Sequence, residues 1–163
     1  MSSFDKNNLL DIGHHRENKK YLPGFRLPKE IVVRPHEKSL VGRVGSVVIC
    51  VKSPYFLDAV SLFQKTIGNK SLLWATKGFD PETGGLFSTV VEKALGKTTP
   101  YAVISGPTFA RELAEGRPAA ITLATNNIHS PAVLAKQMSN KSLRVYLSDD
   151  PTGVQLGGGL KNI

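Results

Sequence analysis

The feature that most constrains this chain is an alternation of short apolar runs with segments of helical periodicity, which begins near residue 44. Apolar runs of strand length lie at 47–51, 72–75, 101–104, 119–123 and 143–147. The first run is apolar throughout, as expected of a strand that is covered on both faces. Alternating strands and helices predict an α/β fold, with a mostly parallel sheet and helices on both of its faces.

Most segments between these runs begin with a capping residue followed by proline. Such a pair predicts a helix start, because the side-chain oxygen accepts a free backbone N–H and proline is preorganised for the first turn. The pairs are Ser53-Pro54, Asp80-Pro81, Ser130-Pro131 and Asp150-Pro151. Pro107 predicts one further short helix, which ends at Gly116.

Size and composition indicate one globular domain. A chain of 163 residues can bury a sizeable core, and without an apolar run of 18 residues we expect no membrane span. Residues 1–20 are polar with little pattern, so we expect a poorly defined N-terminal segment there.

The single cysteine, Cys50, fits a reducing, cytoplasmic location. Its place in an apolar run predicts an inert core residue.

The net charge of +8 favours anionic partners. The basic residues are scattered, and none of the basic stretches is interleaved with aromatic residues as in a nucleic-acid surface. We therefore expect small phosphorylated metabolites rather than nucleic acid as partners.

Two polar turns follow predicted strands, where open α/β sheets bind their ligands. Lys77 follows the second strand and could bind a phosphate or a carbonyl oxygen, or it could be a solvated loop lysine. Ser105-Gly106-Pro107-Thr108 follows the third strand. Backbone N–H groups at a helix start there could bind an anion, with Gly106 allowing close approach and Thr108 adding a hydroxyl. Simple helix capping explains the same turn.

Gly157-Gly158-Gly159 precedes Lys161 in the last predicted helix. Each glycine inside a helix costs about 0.5–1 kcal/mol relative to alanine, so three in a row indicate that something lies against the backbone. Gly157 and Lys161 share a helix face, on which the lysine could approach a substrate. A frayed terminus or a contact between helices remains the alternative.

Other candidate sites fail on spacing. The histidines, at positions 14, 15, 36 and 129, lack metal-ligand spacing. Gly42 and Gly45 do not match the G-x-G-x-x-G dinucleotide fingerprint, and neither does any other stretch. The sequence therefore predicts no metal site.

Taken together, these motifs resemble those of bacterial NAD(P)-dependent glycerol-3-phosphate dehydrogenases. The resemblance is carried by Leu73-Trp-Ala-Thr-Lys-Gly78, by Ser105-Gly-Pro-Thr-Phe-Ala-Arg-Glu-Leu113 and by Gly153-Val-Gln-Leu-Gly-Gly-Gly-Leu-Lys-Asn162. Arg16-Glu-Asn18 and Tyr21-Leu-Pro-Gly24 also match, so the resemblance covers roughly 14–163.

The resemblance implies a Rossmann-like domain and the reduction of dihydroxyacetone phosphate to sn-glycerol 3-phosphate with NADH or NADPH, for phospholipid synthesis. It implies a catalytic role for Lys161, as proton donor to the carbonyl oxygen. Substrate contacts are implied for Lys77, Gly106 and Thr108, and cofactor contacts for Lys77, Ala110 and Pro54. A homodimer is possible by the same resemblance.

The chain also departs from the family pattern. It lacks the family's opening strand, Gly-rich turn and helix, and its closing helical domain. We therefore expect a domain truncated at both ends, with a partial NAD(P)-binding domain at 21–150 and the start of a connecting helix at 151–163. We also expect an exposed sheet edge or apolar face, and little or no turnover by the isolated chain. Two alternatives stay open: a related β-hydroxyacid dehydrogenase, and a non-catalytic remnant that binds an anion or a partner.

Overall fold

The computed structural model describes residue 1 and the ranges 5–35 and 41–161. In these ranges the strands are β1 (Glu17–Asn18), β2 (Leu22–Arg26), β3 (Ser46–Ile49), β4 (Ser71–Trp74), β5 (Tyr101–Ser105), β6 (Ala119–Asn126) and β7 (Leu143–Ser148). The α-helices are α1 (Lys6–His15), α2 (Phe56–Ser61), α3 (Phe87–Leu95), α4 (Ala110–Ala114), α5 (Pro131–Met138) and α6 (Pro151–Leu160). A short 3-10 helix, Ser53–Tyr55, precedes α2.

Among the described residues, five strands form the main sheet in the order β3-β4-β5-β6-β7. The pairs β3–β4, β4–β5 and β6–β7 are parallel, which confirms the mostly parallel α/β fold. The pair β5–β6 is antiparallel, and this reversal was not predicted. Helix α4, between these strands, has five residues and is only about 7.5 Å long. It is too short to carry the chain back along the sheet for a parallel pairing.

The reversal decides which strand ends meet at one edge of the sheet. β5 ends where β6 begins, because Ser105 lies opposite Thr122. β7 also begins at this edge, since Leu143 is paired with Ala119. The loops after β3 and β4 lie at the same edge through the parallel pairings. We call it the β5 carboxyl edge.

Helices cover both faces of the sheet, as predicted. One face packs α2, α3 and α6 over a cluster that includes Phe56, Trp74 and Tyr101. The aromatic rings are in direct contact, with 5.7 Å between the centroids of Phe56 and Trp74. The other face packs α5 against residues such as Leu73 and Leu123.

The capping pairs predicted some helix starts correctly and one wrongly. Helices α5 and α6 begin at Pro131 and Pro151, as expected. Asp80 does not cap a helix, because α3 begins only at Phe87. Instead the Asp80 carboxylate accepts a 2.6 Å hydrogen bond from the Thr83 hydroxyl. Its backbone C=O accepts a 2.8 Å bond from the Gly84 N–H, so Asp80 closes a turn.

Strand β3 is an edge strand of the described sheet, with a half-exposed face. Val48 is 54% exposed, and Cys50, just after the strand, is exposed. The predictions that this strand is covered on both faces and that Cys50 is a core residue were therefore wrong. Partial burial of the Cys50 sulfur still raises the pKa of the thiol, against a smaller opposing effect of the Ala75 backbone N–H. The exposed face agrees with the exposed edge that the sequence predicted.

Part of the N-terminal segment is helical, although the pattern predicted little structure there. The Asp5 side chain caps α1 by accepting a 3.0 Å hydrogen bond from the Asn8 N–H. Two side chains of this helix, Leu9 and Ile12, are buried. Arg16 ends it in the left-handed conformation, with φ 56°. A two-stranded hairpin of β1 and β2 follows.

No helix in the described ranges combines the length and apolarity needed to cross a membrane. Those ranges also hold no cluster of three His, Cys, Asp or Glu side chains suited to a metal ion.

Candidate active site

The loops after β3 and β4 lie side by side at the β5 carboxyl edge. The Thr76 hydroxyl donates a 2.8 Å hydrogen bond to the Val51 C=O and accepts a 3.3 Å bond from the Val51 N–H. Gly78 has φ 106°, and a Cβ there would lie 3.4 Å from the Ser53 hydroxyl. Pro54, which follows Ser53 in the short 3-10 helix, is exposed.

Lys77 is half-buried and reaches across to the loop after β5. Its Nζ donates a 2.8 Å hydrogen bond to the Gly106 C=O. Burial lowers the pKa of Lys77, and the positive charge of Lys161 lowers it further. Lys77 is thus not a fully solvated loop lysine, and the structure brings it together with Gly106 and Lys161.

Gly106 is required by packing against the neighbouring strand. A Cβ at this position would lie 2.7 Å from the backbone oxygen of Ala120 and 3.0 Å from the Cα of Ile121. Its carbonyl oxygen accepts a second hydrogen bond, 2.9 Å long, from the Thr108 N–H. Glycine here lets β6 approach the loop closely, which is a different reason from the ligand approach that the sequence analysis offered.

The predicted helix start at Pro107 is wrong. Helix α4 begins at Ala110 and is preceded by Phe109, whose backbone is extended and whose side chain caps nothing. The segment 106–109 is therefore a loop, and a helix dipole cannot support anion binding there. Thr108 is half-buried in this loop, and Ala110 is exposed at its end.

Packing against the sheet explains two of the three consecutive glycines in α6. A Cβ on Gly158 would lie 2.7 Å from the Ser105 hydroxyl, and one on Gly159 would lie 2.6 Å from the Phe79 ring. Gly157 is different, because an added Cβ would meet nothing within 4 Å. Gly158 and Gly159 thus pack against a strand and a loop rather than against another helix, while Gly157 leaves open space.

Two side chains fix α6 in place. Asp150 caps its N-terminus by accepting a 2.8 Å hydrogen bond from the Gly153 N–H. Gln155 is buried and accepts a 2.9 Å bond from the Ser88 N–H in the first turn of α3. The Gln155 amide nitrogen also donates a 3.0 Å bond to the Pro151 C=O. Sequence reasoning missed Gln155, although a lone polar residue between Val154 and Leu156 is a signal for such a role.

A cavity of about 350 Å³ opens between the loop after β5 and helix α6. It is lined by Ser105, Gly106, Pro107, Thr122, Val154, Gly157, Gly158 and Lys161. Gly106 and Lys161, both predicted site residues, thus share one cavity, and Lys77 contacts its wall through Gly106. Pro54, Thr108 and Ala110 do not line it.

Lys161 follows the last turn of α6 and is exposed. Its Nζ lies 5.1 Å from the centroid of the Phe109 ring. Phe109 is 63% exposed, and sequence reasoning gave it no role. Asn162, part of the predicted Lys-Asn motif, lies outside the described residues.

Strand β7 lies beside β6, the strand that carries the cavity residue Thr122. Tyr146 is paired with Thr122, which is itself paired with Ser105. Arg144 and Tyr146 are both exposed. Arg144 lies at the amino end of β7, which the antiparallel step brings to the β5 carboxyl edge, and Tyr146 lies further along the strand.

Comparison with known proteins agrees with this arrangement. Residues 1–130 match the model of the family "NAD-dependent glycerol-3-phosphate dehydrogenase N-terminus". A glycerol-3-phosphate dehydrogenase [NAD(P)+] from Mannheimia succiniciproducens is 39% identical over 154 residues, covering 93% of this chain and 46% of that relative. The corresponding protein from Shewanella amazonensis is 38% identical and covers 98% of this chain and 48% of the relative.

A solved structure gives the same result. Glycerol-3-phosphate dehydrogenase from Coxiella burnetii superposes with a TM-score of 0.92 at 31% identity, over 99% of this chain and 49% of that one. The chain therefore spans about half the length of the relatives it matches. These comparisons do not favour the alternatives of a β-hydroxyacid dehydrogenase or a non-catalytic remnant. The family match over most of the chain, together with the lysines at the β5 carboxyl edge, establishes that the chain belongs to the NAD-dependent glycerol-3-phosphate dehydrogenase family.

Proposed function

We propose that this chain provides the cofactor-side half of an oxidoreductase that reduces dihydroxyacetone phosphate to sn-glycerol 3-phosphate with NAD(P)H, for glycerophospholipid synthesis. The observation that carries the proposal is the convergence of Lys77 and Lys161 beside one cavity. Lys77 Nζ is bonded to the Gly106 C=O, and both Gly106 and Lys161 line this cavity, so one ligand placed there would lie near both lysines.

The lysine pair suits a small phosphorylated substrate. Two like charges that repel each other are stabilised when an anion binds between them. Lys77, Gly106 and Thr108 are the proposed substrate contacts. The cavity of about 350 Å³ has room for a three-carbon phosphate ester.

Lys161 is the proposed catalytic residue. It lines the cavity, and its exposed ammonium group can reach a carbonyl oxygen placed there. In the direction of reduction, protonated Lys161 gives a proton from Nζ to this oxygen while the carbonyl carbon is reduced, which forms the alcohol. In the reverse direction, neutral Lys161 takes the hydroxyl proton.

Residues in the segments after β3, β4 and β5 suit contacts with a nicotinamide dinucleotide. Pro54 and Ala110 are exposed, Lys77 supplies a positive charge for a phosphate, and Gly78 lets the loop lie close to Ser53. We propose Lys77, Pro54 and Ala110 as cofactor contacts. The bound cofactor supplies the hydride.

Titration calorimetry of the chain with sn-glycerol 3-phosphate tests the proposal. Lys77→Ala and Lys161→Ala should each weaken binding at least tenfold, since hydrogen bonds to charged groups contribute about 1.5–3 kcal/mol. Lys136→Ala is the matched control, because Lys136 is an exposed lysine on α5, on the other face of the sheet. Equal binding by all four proteins would overturn the proposed site.

Three finer properties belong to the same proposal. We propose a cytoplasmic location, which the single cysteine supports. A homodimer and an absence of nucleic-acid binding are proposed from the family resemblance and from the scattered basic residues. Sedimentation of the protein with and without DNA checks both.

A further inference from the structure

Phe109 is an aromatic side chain whose exposure needs a physical reason. The residue is 63% exposed, so burial in the core does not hold it. Its backbone is extended, with φ −108° and ψ 138°, immediately before α4. The Lys161 ammonium group lies over this ring, 5.1 Å from its centroid, which is within the roughly 6 Å range of a cation–π contact.

One short loop thereby contacts both site lysines. The Gly106 C=O accepts the hydrogen bond from Lys77 Nζ at 2.8 Å, and Phe109, three residues later, faces Lys161 Nζ. The loop itself is fixed, since Gly106 lies against the backbone of Ala120 and Ile121. The two lysines therefore contact the same loop, which is anchored to β6 at Gly106.

An aromatic ring holds a lysine in a way that a carboxylate cannot. A carboxylate would neutralise the ammonium charge and repel an incoming phosphate. A ring attracts the cation through its quadrupole and carries no net charge, so the positive field stays available. Within the described residues, the ion pairs of the chain involve other lysines, arginines and histidines and leave Lys161 out.

We propose that Phe109 is a positioning residue that holds the Lys161 ammonium group at the rim of the cavity without neutralising it. This role rests on the proposed function, because it gives the ring the task of orienting Lys161 towards a phosphorylated substrate. The contact itself does not depend on that function and can be measured without a ligand.

The first experiment is NMR of the whole chain with selectively labelled lysine. In the wild-type protein, the ring current of Phe109 should shift the ε-methylene protons of Lys161 upfield. Phe109→Leu should abolish this shift while keeping an apolar side chain, and Phe109→Tyr should retain it. An unshifted Lys161 signal in the wild-type protein, or a shift that survives Phe109→Leu, would overturn the contact.

The second experiment measures binding of sn-glycerol 3-phosphate by the same variants. An exposed cation–π contact changes affinity by about two- to fivefold, so Phe109→Leu should weaken binding by that factor and Phe109→Tyr should restore it. Tyr21→Leu is a matched control, because Lys20 Nζ lies over the Tyr21 ring at the same 5.1 Å. Tyr21 lies in the N-terminal hairpin, and its loss should leave binding unchanged.

The outcomes separate the two proposals. If Lys161→Ala weakens binding but Phe109→Leu does not, Phe109 has no positioning role and the proposed function stands. If the wild-type chain and Lys161→Ala bind equally, the proposed function fails, and the role of Phe109 in it fails too. Circular dichroism of each variant shows whether a loss of binding reflects unfolding.

Discussion

Lys77 Nζ donates a 2.8 Å hydrogen bond to the carbonyl oxygen of Gly106, which joins the loop after β4 to the loop after β5. The bond uses one of the three donors of the ammonium group. The remaining N–H groups of Lys77 can serve a ligand. A lysine held in this way, with a second lysine nearby, is a fixed positive point at the β5 carboxyl edge.

The titration of Lys77 is the first prediction. Burial and the charge of Lys161 lower its pKa below the ordinary 10.5. Lys161→Ala should therefore raise the pKa of Lys77 without restoring it fully, because burial is the larger cause. The Cε signal of Lys77, followed by NMR against pH, measures this change. A pKa of Lys77 that does not move would show that the two lysines are not coupled.

The same lowered pKa makes stability depend on pH. Folded Lys77 binds its proton less tightly than unfolded Lys77, so the free energy of unfolding rises with pH between the folded pKa and 10.5. Lys77→Met should remove this rise, whereas Lys136→Met should keep it. Chemical denaturation at a series of pH values measures the slope. An identical slope in wild type and Lys77→Met would contradict the assignment.

Gly106 and Gly157 should respond to alanine in opposite directions. Gly106→Ala places a Cβ 2.7 Å from the backbone oxygen of Ala120, where only a backbone shift can relieve the clash. It should lower the free energy of unfolding by about 1–3 kcal/mol. Gly157→Ala meets nothing within 4 Å and should raise that energy by about 0.5–1 kcal/mol, since alanine favours the helix. Urea denaturation measures the free energy of unfolding of both variants. A destabilised Gly157→Ala would show that α6 is packed differently.

Gln155 should be a stability residue rather than a ligand contact. Gln155→Met keeps the volume but leaves the buried Ser88 N–H without its acceptor, which should cost about 1–3 kcal/mol of unfolding free energy. Thr152→Ala, at an exposed position of the same helix, should change it by no more than about 0.5 kcal/mol. Equal stability of the two variants would mean that the bond to Ser88 contributes nothing.

Cys50 should react slowly with thiol reagents at neutral pH. Burial of the sulfur raises the pKa of the thiol, which lowers the fraction of reactive thiolate. The rate of reaction with a disulfide reagent, measured against pH in the native protein, should have its midpoint above that of free cysteine. A midpoint at or below that of free cysteine would contradict the raised pKa.

The sequence predicted the features that depend on local pattern. Apolar runs located the main strands, and the pairs at Ser130 and Asp150 located two helix starts. It failed where residue preferences do not specify which hydrogen bonds and packing contacts form. Asp80 was free to close a turn with Thr83, and the antiparallel β6 depends on a connection whose helix is too short to cross the sheet. The packing reason for Gly106 lies in β6, which no local pattern around residue 106 reveals.

The site residues divide in the same way. The placement of Lys77 and Lys161 beside one cavity could be predicted, because each follows a recognisable element, a buried strand or a Gly-rich helix. Phe109 and Gln155 were missed, since their roles arise from contacts with residues far away in the chain, Lys161 and Ser88. Residues whose importance comes from a tertiary partner need the structure to be found.

We propose that Lys77 and Lys161 bind one phosphorylated ligand together. The most direct measurement follows the Cε signals of individually assigned lysines by NMR during a titration with sn-glycerol 3-phosphate. We expect the Lys77 and Lys161 signals to shift with a common saturation curve while the Lys136 signal stays in place. Shifts of similar size at all lysines, or none at Lys77 and Lys161, would contradict it.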